Sequence, residues 1–392
     1  MLKYLSANGD WGESLSTAAA HERLRSTEYH ATVASSSSAW PALEDEYLRM
    51  QVEDSTKFHP SFFLAHVCPT IWRPIIILVY GPNQMPVGMM FLKERTVCGI
   101  RTGIFLGDAS LGRLITSEKY AEEQVFEAAI SALMKARRVR GLRLLTSTSG
   151  YELNAMENVP VPTYLKRDVV PTECHEILKL PPTYDQFLNT LSYKTRRNFR
   201  YFRNRSAKAD HIFVDNLSFD EFVPAAWKLQ AEQTVGGHRA PLERAIEVLR
   251  TARRPLLVAL KSANGEMLSF VGGWWEGGRA SVFMQLNSDK RYPKDSLSLT
   301  MRTYLIEYLI ANGCTEIVWW SGVVGPIKHY CEPVPTLAIC LDNQGLFWRL
   351  GRQLLQVTRS HLPRRFHALA HMVILPPAPE GSPRQNPNLQ ST

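Results

Sequence analysis

Apolar residues along this chain follow two periods, and the order in which those periods alternate is the first informative feature. Pro74 to Tyr80 is a continuous β-rich run. The turn residues Gly81-Pro82-Asn83-Gln84 separate it from a second run, Val87 to Glu94. Two such runs around Gly, Pro and Asn predict a hairpin, because the punctuation would break a helix. A third run, Gly103 to Gly107, leads through a Gly-containing loop into a helical pattern. Val125, Phe126, Ala129, Ile130, Leu133 and Met134 form its apolar stripe, and a strand is expected at 142–147. The order then returns. Pro255 to Lys261, the turn Ser262-Ala263-Asn264-Gly265, Met267 to Trp275 and Ala280 to Asn287 precede a helix expected over Asp295 to Ala311. Gly313 ends that helix and Thr315 to Ser321 is the next strand. The two hairpins start 181 residues apart, at Pro74 and Pro255, with the turn asparagines in register. Matched order alone arises by coincidence in many α/β proteins, but matched order and spacing predict a repeat.

The expected organisation is therefore an α/β (α+β) protein of two related units, 40–170 and 171–345, each a mixed sheet with flanking helices. Residues 1–39 end in Ala-Thr-Val-Ala-Ser-Ser-Ser-Ser and suit a mobile arm. The stretch 41–50 suggests a short acidic helix, and His59-Pro60-Ser61 starts another with Pro in its first turn. Residues 346–375 contain a basic amphipathic helix, and 376–392 have the composition of a disordered tail.

At 392 residues, 45% hydrophobic and 21% charged, the chain has the make-up of a globular protein of about two domains. No window approaches the ~18 uninterrupted apolar residues of a membrane span. The N-terminal stretch has no apolar core or small-residue cleavage site of a secretory signal, so a cytoplasmic location is expected. The six cysteines lie far apart without a CxxC pair and are expected as buried thiols. His367 and His371 sit at i and i+4 without an HExxH context, so no metal site is expected.

Charge changes this picture in one place. Leu188 to Asp210 holds seven cations, Lys194, Arg196, Arg197, Arg200, Arg203, Arg205 and Lys208, against the single Asp210. That is +6 of the chain's net +8. At helical period Leu188, Leu191, Thr195, Phe199, Phe202 and Ser206 share a stripe, with the cations around the rest of the circumference. Three readings fit such a helix: a solvated face, a nucleic-acid surface in which Tyr201 and Phe202 stack on bases, or an arginine clamp for an anionic substrate. For the clamp, Arg196, Arg200 and Arg203 at i, i+4 and i+7 are the convergent set.

The run Leu191-Ser-Tyr-Lys-Thr-Arg-Arg-Asn-Phe-Arg200 resembles the Lys-x-Arg-x-Asn-x-Arg helix of double GNAT-fold acyltransferases of the FemAB-like and cellulose-biosynthesis-protein-like kind. The later order of strand, Ser-bearing loop, helix ended by Gly313, strand and Ile327-Lys328 is similar too. The resemblance covers about Trp40 to Cys340. It departs from the family at Lys294-Asp295-Ser296, where Pro-Gly is common, and at Trp319 and Ile327, where an acidic residue and a Tyr are common.

What the resemblance implies is two tandem GNAT-like acyltransferase domains and an acyl-CoA donor whose pantetheine enters a splay between strands. The pyrophosphate would then rest on the following helix N-terminus. Lys290, Arg291, Lys294 and Ser296 fall at that turn. Acyl transfer to an amine needs a base and a proton donor for the leaving thiolate. Glu232 is the candidate base, on a helix expected over Pro224 to Thr234, and Tyr292 and Lys328 are the candidate donors. The Trp274-Trp275 and Trp319-Trp320 pairs suit the core or an acyl pocket. The implied acceptor is a small molecule or saccharide: an amino sugar, an envelope or polysaccharide precursor, or an amino acid derivative. Some relatives use aminoacyl-tRNA as donor. A non-catalytic nucleic-acid-binding protein is the alternative from another class, and the oligomeric state is left open.

Overall fold

The computed structural model describes residues 29–35, 40–50, 59–67, 71–97, 99–107, 114–117, 121–146, 151–233, 239–288, 290–320, 323 and 325–345. They divide into two compact units. The first takes in the described residues up to 50 with 59–173 and 335–345, and the second 174–334.

The first unit opens with β1 (His30–Ala34), α1 (Trp40–Arg49) and α2 (Pro60–His66). Then come β2 (Trp72–Tyr80), β3 (Pro86–Val97), β4 (Ile100–Gly107), β5 (Leu114–Thr116), α3 (Glu122–Ala136), β6 (Gly141–Thr146) and α4 (Tyr151–Asn158). After β7 (Leu165–Lys179) come α5 (Tyr184–Thr190), α6 (Tyr193–Lys208), β8 (Ile212–Val214), α7 (Phe219–Gln233) and α8 (Arg239–Thr251). The second repeat is β9 (Pro255–Lys261), β10 (Met267–Glu276), β11 (Arg279–Asn287), α9 (Leu297–Ala311) and β12 (Glu316–Trp319). A 3-10 turn at Pro326–Tyr330 leads into β13 (Cys331–Asn343).

Strand order is β1-β2-β3-β4-β6-β13 in the first unit, with β5 beside β3, and β7-β12-β11-β10-β9-β8 in the second. Each sheet is mixed: β4 with β6 and β11 with β12 run parallel, and the neighbouring pairs antiparallel. Each unit also takes its last strand from the far side of the repeat. Leu337 to Asp342 of β13 pair with β6, and Glu176 to Lys179 of β7 pair with β12.

The repeat extends to the hydrogen bonds of the hairpin turns. In the first hairpin Gly81 N donates to Met85 O (2.9 Å) and Gln84 N to Gly81 O (3.0 Å). The same bonds recur 181 residues on, from Ser262 N to Glu266 O (2.8 Å) and from Gly265 N to Ser262 O (2.9 Å). Gln84 (φ 58°) and Gly265 (φ 76°) both adopt the left-handed conformation that this turn requires. The parallel pairs begin at Ile104↔Gly141 and Arg279↔Glu316, and both crossovers span 37 positions. Their helices, α3 and α9, are each 15 residues long.

The repeats differ where β11 leaves β12. Gly272 pairs with Met284 and Gly273 with Val282, so Phe283 is an extra residue, a β-bulge on β11. Val282 is also the last residue of β11 to pair with β12, opposite Trp319. A bulge bends its strand and raises the local twist, so β11 continues five residues past this pair, to Asn287, while β12 ends. Glycine is required opposite the bulge, since a Cβ on Gly273 would lie 1.9 Å from the Ser281 carbonyl oxygen. In the first unit β4 stops at Gly107, and β5 takes the corresponding place on β3 with Gly88↔Thr116 matching Ser269↔Asn287.

Helix α9 is apolar around most of its circumference because it is covered on two sides, by β9, β10 and β11 and by α5 and α6. The basic stretch is two helices rather than one. Leu191 is extended (ψ 145°), and the Ser192 hydroxyl accepts from Thr195 N (3.3 Å) to start α6. The expected stripe survives this break, with Leu188, Leu191, Thr195, Phe199 and Ser206 all buried. Within the segment expected as an arm, His30 to Ala34 form an antiparallel strand on β2. The alternation of a short edge strand is too weak to stand out beside the serine run. The rest of that arm, the expected 346–375 helix, the 376–392 tail and His367 and His371 lie outside the described residues.

Replacing Gly273 by Ala is expected to destabilise the protein by roughly 1–3 kcal/mol, as overpacking against a backbone oxygen does. Chemical denaturation measures this, and Gly277→Ala, whose Cβ would meet open space at φ 58°, separates the close approach from backbone strain.

Candidate active site

The split between β11 and β12 faces the start of α9. Ser296 enters the helix in the left-handed conformation (φ 44°, ψ 54°) without a side-chain cap, and its carbonyl accepts from Thr300 N (2.9 Å). The first turn of α9 therefore presents backbone N–H groups and the positive end of the helix dipole, with no acidic side chain among its residues. The equivalent turn of α3 carries Glu122 and Glu123. The connection into the helix is also longer here, nine residues (288–296) against five (117–121).

That connection is anchored by a polar network. Arg291 pairs with Glu232 (2.9 Å) and with Glu266, and its Nε donates to Ser288 Oγ (2.8 Å). Ser288 Oγ donates to Glu232 (2.8 Å), Tyr292 OH to Glu266 (3.3 Å), and Lys228 pairs with Glu266 (3.0 Å). Hydrogen bonds from Arg291 and Lys228 pull the Glu266 carboxyl down to about 2, so the anchor stays ionised across the ordinary pH range. Of the residues expected to serve chemistry, Arg291, Tyr292 and Glu232 are thus brought together, but as a tether for the loop. Glu232 is engaged by a guanidinium and a hydroxyl, which is a poor setting for a base. Asp295, which would oppose an anion at this turn, is held by Arg205 (2.5 Å). Lys290 and Lys294 are exposed and make no ion pair among the described residues.

Lys328 stands elsewhere, on the 3-10 turn beyond β12. It lies 3.6 Å from Glu176 of β7, whose other oxygen accepts the Val323 amide at 2.5 Å. Nearby, Tyr330 OH accepts the Ser192 amide at the start of α6 (2.7 Å). Glu176 escaped sequence reasoning because it belongs to the strand that enters this sheet from the far side of the repeat. Trp274 and Trp319 are core residues, and Trp320 packs edge-on against Trp274.

The cations of α6 sort into two groups. Arg203 pairs with Glu307 of α9 and stacks between Tyr184 (5.3 Å) and Tyr304 (4.8 Å). Arg196 donates to Asn189 (3.0 Å), and Arg205 holds Asp295. The expected convergence of Arg196, Arg200 and Arg203 is therefore corrected: α9 needs a partner for Glu307, and Arg203 lies at the edge of the buried face. Lys194, Arg197, Arg200 and Lys208 are exposed with no ion pair among the described residues. Tyr193, Arg196, Arg197, Arg200 and Tyr201 line a shallow cleft, and the two tyrosines are 76% and 55% exposed.

Residues 193–323 match the family model of the acetyltransferase (GNAT) domain. This match lies within the second unit. Among solved structures, FemX is 10% identical with a TM-score of 0.52, covering 79% of this chain and 97% of that one, which shows a shared fold over both units. The two units of the chain thus share the fold of FemX, and the acetyltransferase family match lies within the second of them. L-PGS from Bacillus licheniformis (14% identity, TM-score 0.49, 78% of this chain and 92% of that) is also similar. So is a tandem GNAT protein from the clavulanic acid biosynthesis pathway (11%, 0.44, 81% and 99%). No curated protein sequence matches. Among the described residues no cluster of His, Cys, Asp or Glu could hold a metal ion, and no helix is long and apolar enough to cross a membrane.

Arg203→Ala is expected to lower stability by about 1–2 kcal/mol through loss of two ring faces and a carboxylate. Arg200→Ala should stay within about 0.5 kcal/mol of the parent protein. Thermal melts of the two variants measure the difference.

Proposed function

We propose that this protein is a cytoplasmic N-acyltransferase that moves an acyl group from acyl-CoA to the amine of an amino sugar, an envelope or polysaccharide precursor, or an amino acid derivative. The observation that carries this reading is the bulge-driven split of β11 from β12 beside a helix N-terminus free of acidic side chains. The exposed backbone edge of β11 suits the amides of a pantetheine arm. The first amides of α9, with Lys290 and Lys294, suit a pyrophosphate. The first unit, with Glu122 and Glu123 at the matching turn, is ill suited to one, so the donor is assigned to the second unit.

In the reaction the amine nitrogen bonds to the thioester carbonyl carbon, the carbon–sulfur bond breaks, and the amine proton leaves as the thiolate is protonated. Strand N–H groups at the split polarise the carbonyl. Lys328 is kept as the proposed proton donor, and Glu176, 3.6 Å from it, takes the place of Glu232 as the proposed base. The exposed face of α6 serves the anionic part of the acceptor, with Arg197 joining Arg196 and Arg200 in place of Arg203. That same face supports a second reading, aminoacyl-tRNA as donor, because exposed Tyr193 and Tyr201 flank Arg197 and Arg200 as stacking platforms flank phosphate contacts.

Calorimetry with CoA tests the donor site. Replacing Lys290 and Lys294 together by Ala should weaken CoA roughly three- to tenfold, as loss of two exposed ion pairs does, while the unliganded melting temperature stays unchanged. Unaltered affinity would move the pyrophosphate elsewhere. Absence of CoA binding by the parent protein, together with steeply salt-dependent tRNA binding, would favour the second reading.

A further inference from the structure

The outward face of α6 carries charge that its surroundings do not answer. Tyr193, Lys194, Arg197, Arg200, Tyr201 and Lys208 are exposed along one side of the helix, over about 22 Å at 1.5 Å per residue. The helix contains no acidic residue. Of the seven cations in this stretch, only Arg203 and Arg205 meet carboxylates among the described residues. Arg196 donates to the neutral oxygens of Asn189 (3.0 Å) and Leu191 (3.4 Å). Elsewhere in the unit Lys179 and Arg279 pair with Glu316, Lys228 and Arg291 with Glu266, and Lys261 with Glu221.

Neither solubility nor helix stability calls for such a face. A solvated surface ordinarily mixes both signs. The like charges of Lys194 with Arg197, Arg196 with Arg200 and Arg197 with Arg200, three or four residues apart, weaken a helix. An anion that meets them offsets this repulsion. The face is also rigid: Thr195, Phe199 and Ser206 are buried beneath it, and Arg203 and Arg205 fasten the helix to Glu307 and Asp295. Its shape selects among anions. Single-stranded nucleic acids run in grooves, whereas these cations stand on the convex outside of a helix beside a shallow cleft. A plane of phosphates meets a straight convex face along its whole length. Tyr193 and Tyr201, each an apolar ring with a polar tip, have the character of side chains at a membrane–water boundary.

We propose that α6 docks the protein on an anionic phospholipid membrane, with Lys194, Arg197, Arg200 and Lys208 on lipid phosphates and the rings of Tyr193 and Tyr201 at the glycerol level. The helix lies on the surface and does not enter it, because its apolar side is spent on the core. The inference deepens the acceptor role assigned to this face above and rests on that reading: the anion is a lipid phosphate, and the acceptor is one that a bilayer presents. The Ser192 amide at the start of α6 donates to Tyr330 OH (2.7 Å), two residues from Lys328, so the docking face is joined to the turn proposed to move the proton.

Cosedimentation of the full chain with vesicles tests this. The protein should partition onto vesicles of phosphatidylcholine mixed with phosphatidylglycerol and not onto phosphatidylcholine alone, and added salt should release it. Arg197→Ala and Arg200→Ala should each lower the partition coefficient about fivefold, the weight of one basic residue at an anionic surface, and reduce its salt dependence. Tyr193→Ala should lower it with the salt dependence unchanged. Arg250→Ala, which removes the same charge from the Glu247 pair on α8, should leave it unaltered. Failure to bind the mixed vesicles, equal binding to both kinds, or an equal loss from Arg250→Ala overturns the inference. So does release by free glycerol phosphate at the lipid concentration, or binding of poly(U) RNA without binding of vesicles. The parent protein suffices for the first comparison, so misfolding of a variant does not obscure it. Each of these failures leaves the calorimetry with CoA untouched, and failure of CoA to bind overturns the donor reading instead.

Discussion

The site depends on a single extra residue. Phe283 has no partner on β10, and inserting it bends β11 at the position where its parallel pairing with β12 ends. The bend depends on Gly273, where a Cβ would collide with the Ser281 carbonyl oxygen of the bulged strand. A bulged strand and a strand that stops leave an unpaired backbone edge inside a packed domain, which is costly unless something supplies partners. The first unit differs at the matching place, with β4 ending at Gly107 and the separate short strand β5 pairing with β3. One fold, used twice, therefore carries a bulged continuous strand in one copy and an interrupted one in the other.

Charge follows the same division. The cations of α6 face two environments, and their contacts separate them. Arg203 and Arg205 fasten α6 to α9 and to the turn before it, through Glu307 and Asp295, so they help to hold the helix N-terminus that borders the split. Lys194, Arg197, Arg200 and Lys208 point outward. The network of Arg291 with Glu232, Glu266 and Ser288 fixes the same turn from its other side. The electrostatics around the split are thus mostly structural, and few charges remain for a ligand.

Much of this was legible in the sequence because it is local. The hairpins, the two crossover helices and the buried stripe of α6 follow from periodicity and turn residues, and the 181-residue spacing holds down to the turn hydrogen bonds. The exchange of β7 and β13 was not legible, since strand partners distant in sequence leave no local mark. The same holds for Glu176, which looks like an ordinary strand residue until its contacts with Lys328 and the Val323 amide are known. Arg291 was expected to meet a pyrophosphate and Glu232 to act as a base, but whether such groups face a ligand or each other is decided by tertiary contacts, as with Arg203.

The claim that the second repeat holds the donor is tested most directly by amide hydrogen exchange with and without CoA. The account predicts that exchange slows on adding CoA in Phe283 to Leu286 and in Leu297 to Leu299, the strand edge and the helix start, while Ile104 to Gly107 and Glu122 to Val125 of the first unit are unaffected. Protection confined to the first unit, or saturating CoA that leaves both repeats unchanged, would contradict it.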